Sequence, residues 1–325
     1  MIVNKNAEII AIGKYIPEFR LSNDDFPEAL ATSDEWIYTR TGIKERRISK
    51  PYEYSSNMAI NAVYDLINKG VSIDDVDLII VSSITPDYFT PSISALVQAE
   101  FNIKNTGCLD VNAACSGYVY ASQLAYSMIY SGFCNKVLVI TSDVLTKITD
   151  FEDRKTCVLF GDAATATIIQ KNEKRAETAH AFWGTNGELG KELFCSNLNE
   201  TICNETITSP RVINQNGRAL YTFVTREVSD IVNAYLIDNN IDKDEIDWFI
   251  PHSANMRMLS KLCEYIDIPE EKLLSSIKFY GNTSSNTIPL SLSENIYNGK
   301  IKRGDKLFLL GFGGGFTFSG LVFTY

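Results

Sequence analysis

Short apolar runs rich in β-branched residues alternate, along the whole chain, with longer stretches of helical spacing. Residues 78–82 (LIIVS), 137–141 (VLVIT), 248–251 (WFIP) and 307–310 (LFLL) are apolar at nearly every position, which predicts strands buried on both faces. Residues 58–69 and 117–130 place apolar side chains three and four apart, which predicts packed helices. The alternation predicts α/β layers built on mostly parallel strands.

The pattern also repeats. VSIDDVDLII at 71–80 lines up with IDKDEIDWFI at 241–250, and CNKVLVI at 134–140 lines up with GDKLFLL at 304–310, both at one and the same offset along the chain. One offset for two segments predicts a duplicated half-domain, residues 1–172 and 173–325, joined inside the polar run QKNEKRAE at 170–177. It sets Asn112 opposite Asn282. Two such halves put equivalent loops near a pseudo-twofold axis, where one site draws groups from both. No linker rich in Pro, Gly or Ser separates them, so one rigid body is expected. Residues 186–210 carry no clear pattern and read as a surface excursion.

Composition narrows the class. At 325 residues, with 45% hydrophobic and 22% charged residues, the chain has enough apolar material for a large core. Thirty basic against 40 acidic side chains leave a net charge of −10, which excludes generic nucleic-acid binding. The cysteines stand at 108, 115, 134, 157, 195, 203 and 263 without a Cys-x-x-Cys pair, so neither a disulfide scaffold nor a zinc ribbon is expected. MIVNKNAEIIAIG does not read as a signal peptide, and no apolar run reaches the roughly 18 residues of a bilayer span. A reduced, cytoplasmic protein without membrane contact is the expectation.

Few residues are candidates for chemistry. Cys115 follows the strand-like CLDVNAA and precedes the helix-like SGYVYASQLAYSMIY, so it falls at a strand-to-helix turn. There a helix N-terminus favours a thiolate, whereas a small core residue is the plain alternative. The other cysteines have no comparable setting. His252 ends the strand DWFIP, at the edge where open α/β sheets bind ligands, and is either catalytic or a hydrogen-bonded surface residue. His180, within AHAFW, reads as structural. Asn282 lies in a turn before a helix, where an asparagine is ordinarily a cap. GFGGGFTFSG at 311–320 nearly matches a dinucleotide fingerprint, but too little chain follows for a helix. A glycine-rich bend between strands, with N–H groups facing a pocket, fits better. Without a Walker, EF-hand or His-Glu-x-x-His pattern, no metal site is expected.

SDEWIYTRTGIKERRI at 33–48, DVNAACSGYVYA at 110–121, DRKTCVLFGDAATA at 153–166, PHSANMRM at 251–258, GNTSS at 281–285 and GFGGGFTF at 311–318 run almost end to end. Through them the chain resembles the β-ketoacyl-acyl-carrier-protein synthase III family of thiolase-like condensing enzymes. The resemblance implies a duplicated five-layer αβαβα fold with mixed, largely parallel sheets, a homodimer, and a Cys-His-Asn site. It makes Cys115 the acylated nucleophile, His252 and Asn282 the donors to the second thioester, and Gly314 with Cys115 the source of oxyanion N–H groups. Trp36, Arg40, Thr41 and Arg154 match positions that hold the adenine end of coenzyme A. Gly217 and Asn255 match the pantetheine channel, and Arg257 a carrier-protein contact. The implied reaction joins an acyl-CoA starter to malonyl-acyl carrier protein with loss of carbon dioxide, acyl-CoA being substrate, and needs no metal or redox cofactor.

The chain departs from the family pattern at Ser253, Asn286, Thr222 and Thr90, the last at a position often filled by a bulky residue from the partner subunit. These bear on starter length and acyl donor; Thr90 is expected to widen or polarise the acyl pocket. Acyl transfer without decarboxylation, or a condensation in a secondary pathway, stays open on the same fold. Papain-like hydrolases share the Cys-His-Asn order, and the spacing from Cys115 to His252 and Asn282 does not discriminate. The missing Cys-Gly-Ser-Cys-Trp signature and the duplicated α/β pattern argue against them. Because carrier proteins are acidic, docking on so acidic a chain requires a local basic patch, with Arg257 and Lys261 as candidates.

Overall fold

The computed structural model describes residues 2–5, 7–172 and 177–325. Ala7–Tyr15 (β2), Ala163–Lys171 (β8), Lys136–Asp143 (β7), Leu78–Ser82 (β5) and Gly107–Val111 (β6) form one sheet in that order. Ile2–Lys5 (β1), Glu177–Thr185 (β9), Thr317–Thr324 (β16), Lys306–Gly313 (β15) and Trp248–Pro251 (β14) form the other. The helices are Asp34–Thr41 (α1), Ser55–Asn68 (α2), Ile93–Phe101 (α3), Gly117–Tyr130 (α4), Gly217–Thr222 (α5), Ser229–Asp238 (α6), Met256–Ile266 (α7), Ile277–Tyr280 (α8) and Thr287–Tyr297 (α9). A π-helical stretch, Phe223–Val228, joins α5 to α6. Three small ribbons complete the fold: Phe19–Ser22 (β3) with Glu45–Ile48 (β4), Leu193–Cys195 (β10) with Ile213–Gln215 (β13), and Thr201–Ile202 (β11) with Glu205–Thr206 (β12). The last two occupy or border the 186–210 excursion, whose strands are too short to leave a pattern.

Side-chain alternation builds the layers. In β5, Leu78 and Ile80 pack toward α4 and α9, while Ile79 and Val81 pack with α2 and α3. In β15, Leu307 and Leu309 share that central core, and Phe308, Leu310 and Phe312 turn toward α6 and α7. The stack is therefore αβαβα, with α4 and α9 enclosed between two sheets.

The sheets are mixed rather than largely parallel. Only β5–β6, β5–β7 and β14–β15 pair parallel among the neighbours; β2–β8, β7–β8, β1–β9, β9–β16 and β15–β16 are antiparallel. The inner strands of both sheets are covered on two faces, so β5 and β15 are apolar at nearly every position whichever way their neighbours run. Direction is set by the connections: the bend Gly314–Phe316 between β15 and β16 is far too short for a parallel crossover.

The first residues of β2 and β9, β5 and β14, β7 and β15, and α4 and α9 are all separated by the offset seen in the sequence. Strands β8 and β16 begin closer together than that offset, because the connection following β7 is much longer than the bend following β15. The division anticipated at residue 172 falls just after β8, and residues 173–176 lie outside the described residues. It does not hold for the first strand, since β1 pairs with β9 in the sheet of the second half.

Gly117 opens α4 against the end of β5, where a Cβ would overlap Ser82 Oγ and approach Ser82 Cβ to 3.1 Å. Gly117→Ala should therefore destabilise the fold by about 2 kcal/mol through overpacking. The measurement is the urea midpoint, expected to fall at unchanged slope; an unmoved midpoint would contradict this packing.

Candidate active site

Cys115 lies in the turn Ala114–Ser116 between β6 and α4. Ser116 Oγ donates to Ala113 O at 2.6 Å and meets Thr317 Oγ1 at 2.8 Å, tying the turn to β16. Two glycines let β15 pass close behind: a Cβ on Gly313 would come within 2.8 Å of Cys115 N, and one on Gly311 within 2.7 Å of Ser116 Cα. His252 follows β14, its N–H donating to Leu310 O at 2.8 Å, and its ring meets Phe312 edge-on at 5.3 Å. Asn282 follows α8 and Gly281; its N–H donates to Leu159 O at 2.8 Å, and its Oδ1 accepts from Ser284 N–H at 2.9 Å. That bond fixes the carboxamide and leaves its NH₂ end for the cavity.

Cys115, His252, Asn282 and Gly314 line one cavity of about 530 Å³, walled by apolar residues such as Ile84, Leu145, Phe160, Leu193 and Leu220. His252 and Asn282 are buried and Cys115 is partly buried, and the titratable groups respond. Burial pushes the Cys115 thiol up to about 12 and the His252 ring down to about 3, the Ser284 carbonyl offsetting part of the latter. Burial of the thiol thus opposes the thiolate that a helix N-terminus favours. Neutral His252 carries one ring hydrogen. Thr287 Oγ1 lies 2.8 Å from Nδ1 and 3.2 Å from Ser284 O, and accepts from Ser253 N–H at 3.2 Å. When the Thr287 hydroxyl donates along the shorter contact, Nδ1 accepts and the ring hydrogen sits on Nε2 as a donor.

The remaining candidates divide. Trp36, Arg40 and Arg154 come together at the surface, with guanidinium carbons 4.3 and 5.0 Å from the indole centroid. Thr41 does not join them: its hydroxyl is buried, donates to Ile37 O at 2.7 Å and accepts from Ile43 N–H at 3.0 Å. Asn255 caps α7 through Oδ1, at 3.0 Å from Arg257 N, and donates to Arg40 O at 2.9 Å. Gly217 is exposed beside Gln215, which lines the cavity. Arg257 and Lys261 border a separate depression, but Glu264 and Glu270 share it and Glu264 pairs with Lys261 at 2.6 Å. The basic patch is therefore mixed in sign.

Among the departures from the family pattern, Ser253 and Asn286 are fully buried and engaged, Asn286 accepting from Thr141 Oγ1 at 2.6 Å. Thr222 and Thr90 are exposed, and Thr90 does not line the cavity of a single chain. Asn112, Ser284 and Cys195 line the cavity without a role assigned from the sequence. Cys195 corrects the expectation that Cys115 alone has a functional setting; β10 is too short to signal which way its side chains face. Among the described residues, no group of three or more His, Cys, Asp or Glu gathers to hold a metal.

Family models for 3-oxoacyl-[acyl-carrier-protein] synthase III match residues 109–187, and for its C-terminal part residues 236–325. A protein of Halalkalibacterium halodurans named β-ketoacyl-[acyl-carrier-protein] synthase III 2 is 44% identical over 98% of this chain and 96% of its own. Solved structures of the synthase III from Thermus thermophilus (TM-score 0.91, 36% identity, 98% of each chain) and Aquifex aeolicus (TM-score 0.90, 38%, 99% of this chain and 100% of that one) superpose nearly throughout. With its layered fold and its Cys-His-Asn cavity so matched, the chain belongs to the β-ketoacyl-acyl-carrier-protein synthase III family of condensing enzymes.

Proposed function

We propose that this protein condenses an acyl-CoA starter with malonyl-acyl carrier protein, releasing carbon dioxide and giving a β-ketoacyl-acyl carrier protein that initiates fatty acid or related polyketide synthesis. The observation that carries the reading is the meeting of Cys115, His252 and Asn282 on one apolar cavity. Cys115 Sγ attacks the acyl thioester carbonyl, and the C–S bond to coenzyme A breaks. Backbone N–H groups of Cys115 and Gly314 polarise the acyl oxygen.

Malonyl thioester then enters an environment that solvates its carboxylate poorly, which favours loss of carbon dioxide. The enolate oxygen that forms takes hydrogen bonds from His252 Nε2–H and the Asn282 amide, each worth about 2–4 kcal/mol. Its carbon attacks acyl-Cys115 and the thiolate departs. A neutral ring held at about 3 donates without being a proton source, which suits a step that must not protonate the carbanion. No metal or redox cofactor enters this scheme.

Trp36 with Arg40 and Arg154 offers an aromatic face and two cations to the nucleotide end of coenzyme A. Thr41 and Asn255, already bonded within the fold, would shape that channel rather than grip the ligand. Arg257 and Lys261 would receive the acidic carrier protein. We further assign a cytoplasmic homodimer: β6 is a sheet edge with exposed Leu109, beside exposed Tyr88 and Phe89.

Intact-mass measurement with acetyl-, isobutyryl- and longer acyl-CoAs, followed by malonyl-carrier protein, tests the reading. Acylation of Cys115 followed by carbon dioxide release is expected, and none in Cys115→Ala; acylation without release would mean simple acyl transfer. His252→Ala should acylate normally yet decarboxylate about 10²–10³-fold more slowly, and the wild-type decarboxylation rate should show no His252 titration between about pH 5 and 8. Loss of acylation in that variant would contradict the role. Added salt should raise KM for the carrier protein, and less steeply in Arg257→Ala; a salt-independent KM would remove the docking assignment.

A further inference from the structure

The two backbone N–H groups assigned to the acyl oxygen, those of Cys115 and Gly314, belong to segments far apart in the chain: the turn Ala114–Ser116 ahead of α4 and the bend Gly314–Phe316 ahead of β16. Donors to a developing oxyanion work only when held in fixed relation, since a shift of about 1 Å in a reacting geometry already costs much of the rate. The bend is a loose partner for this task. Gly313, Gly314 and Gly315 have no side chains to anchor them, and Gly315 is left-handed at φ 89°.

Thr317 joins the two. It opens β16 opposite Gly313 and lines the cavity. Its Oγ1 lies 3.0 Å from Ala113 O and 2.8 Å from Ser116 Oγ on the turn, and 3.2 Å from Gly314 O on the bend. Among the described residues, every hydrogen bond between residues 113–116 and residues 313–317 runs to this one hydroxyl. Ala113 O also accepts from Ser116 Oγ at 2.6 Å, and Gly314 O from Thr317 N–H. Both carbonyls therefore keep a donor without the Thr317 hydroxyl, and what it adds is the cross-link. The other half fastens its turn in the same way. At the common offset Asn286 stands for Ser116 and Thr283 for Ala113; Asn286 Nδ2 donates to Thr283 O at 3.0 Å, and its Oδ1 accepts from Thr141 Oγ1 at 2.6 Å, on β7 of the first sheet. Thr141 holds its turn against Thr165, whereas Thr317 holds one against a glycine bend.

We infer that Thr317 is a positioning residue that holds the Cys115 and Gly314 N–H groups in register for the acyl oxygen, an inference that rests on the acylation proposed above. In that step the sulfur–carbon bond to Cys115 forms and the one to coenzyme A breaks. The thiol proton and the electron pair of the broken bond both end on coenzyme A, which leaves as a thiol. Between the two events the carbonyl oxygen carries the negative charge that the N–H pair must meet, and it does so again when the enolate carbon attacks acyl-Cys115. Alkylation of the thiol by iodoacetamide displaces iodide at a saturated carbon, forms no such oxyanion and makes no call on Thr317.

Thr317→Val replaces the hydroxyl by a methyl group of similar size and leaves the backbone bonds in place. Single-turnover acylation of Cys115 by the fastest of acetyl-, isobutyryl- and butyryl-CoA, and its alkylation by iodoacetamide, are both followed by intact mass in the full-length protein. Acylation should slow about 10-fold in Thr317→Val while alkylation keeps the wild-type rate, and Thr317→Ser should restore acylation. Equal slowing of the two reactions would mean a general loosening of the site and overturn the positioning role. So would wild-type acylation in Thr317→Val, or a serine that fails to restore it. Thr317→Ala, which removes the hydroxyl without a new branch, is read by the same outcomes if valine does not fold. These results leave the proposed function standing; absence of acylation by every acyl-CoA in the wild type would instead overturn that function.

Discussion

Enclosure of α4 and α9 between two sheets is the constraint on which the rest of the structure depends. Along their first turns these helices must be apolar or small on every side, and residues such as Ala121, Ser122, Ala125, Ser291 and Ser293 let both sheets close over the pair. The polar exception proves well bonded: Gln123 Nε2 reaches Ser319 Oγ at 2.9 Å and Gly320 O at 2.8 Å on the second sheet. What cannot be hidden are the helix ends, whose first N–H groups have no intrahelical partner. Both N-termini open toward one cavity, and Cys115 and Asn282 sit just ahead of them.

The same enclosure sets the chemistry. Burial of the reacting groups raises the Cys115 thiol and lowers the His252 ring, which favours a protonated thiol and a neutral imidazole. Such a site holds little fixed charge at rest and meets charge as it forms, with donors already in place. That is the arrangement in which hydrogen bonds to a developing oxyanion count most.

Duplication then explains which residues differ. Asn112 and Asn282 make equivalent bonds to the N–H two residues on, at 3.3 and 2.9 Å, so the turn is the inherited part. Against that common frame Cys115 faces Ser285, His252 faces Ser82 and Thr287 faces Gly117, each pair related by the same offset. One half contributes the nucleophile and the other the donors, because a single copy of the turn cannot present both to the same atom.

Strand and helix placement, the common offset between elements of the two halves and the residues Cys115, His252 and Asn282 that meet on one cavity were legible in the sequence, since burial leaves a periodic apolar record and a repeat keeps its offset. Strand direction was not, because helices cover both faces of both sheets and erase the alternation that would separate antiparallel from parallel. Nor were the protonation states of Cys115 and His252, the engagement of Thr41 and Asn255 in the backbone, or the approach of Cys195 and Ser284 to the cavity. Those depend on how completely distant segments exclude water from one another. The sequence by itself determined which residues are available to react; only the tertiary structure decided their solvation, and with it which of them carry protons at rest.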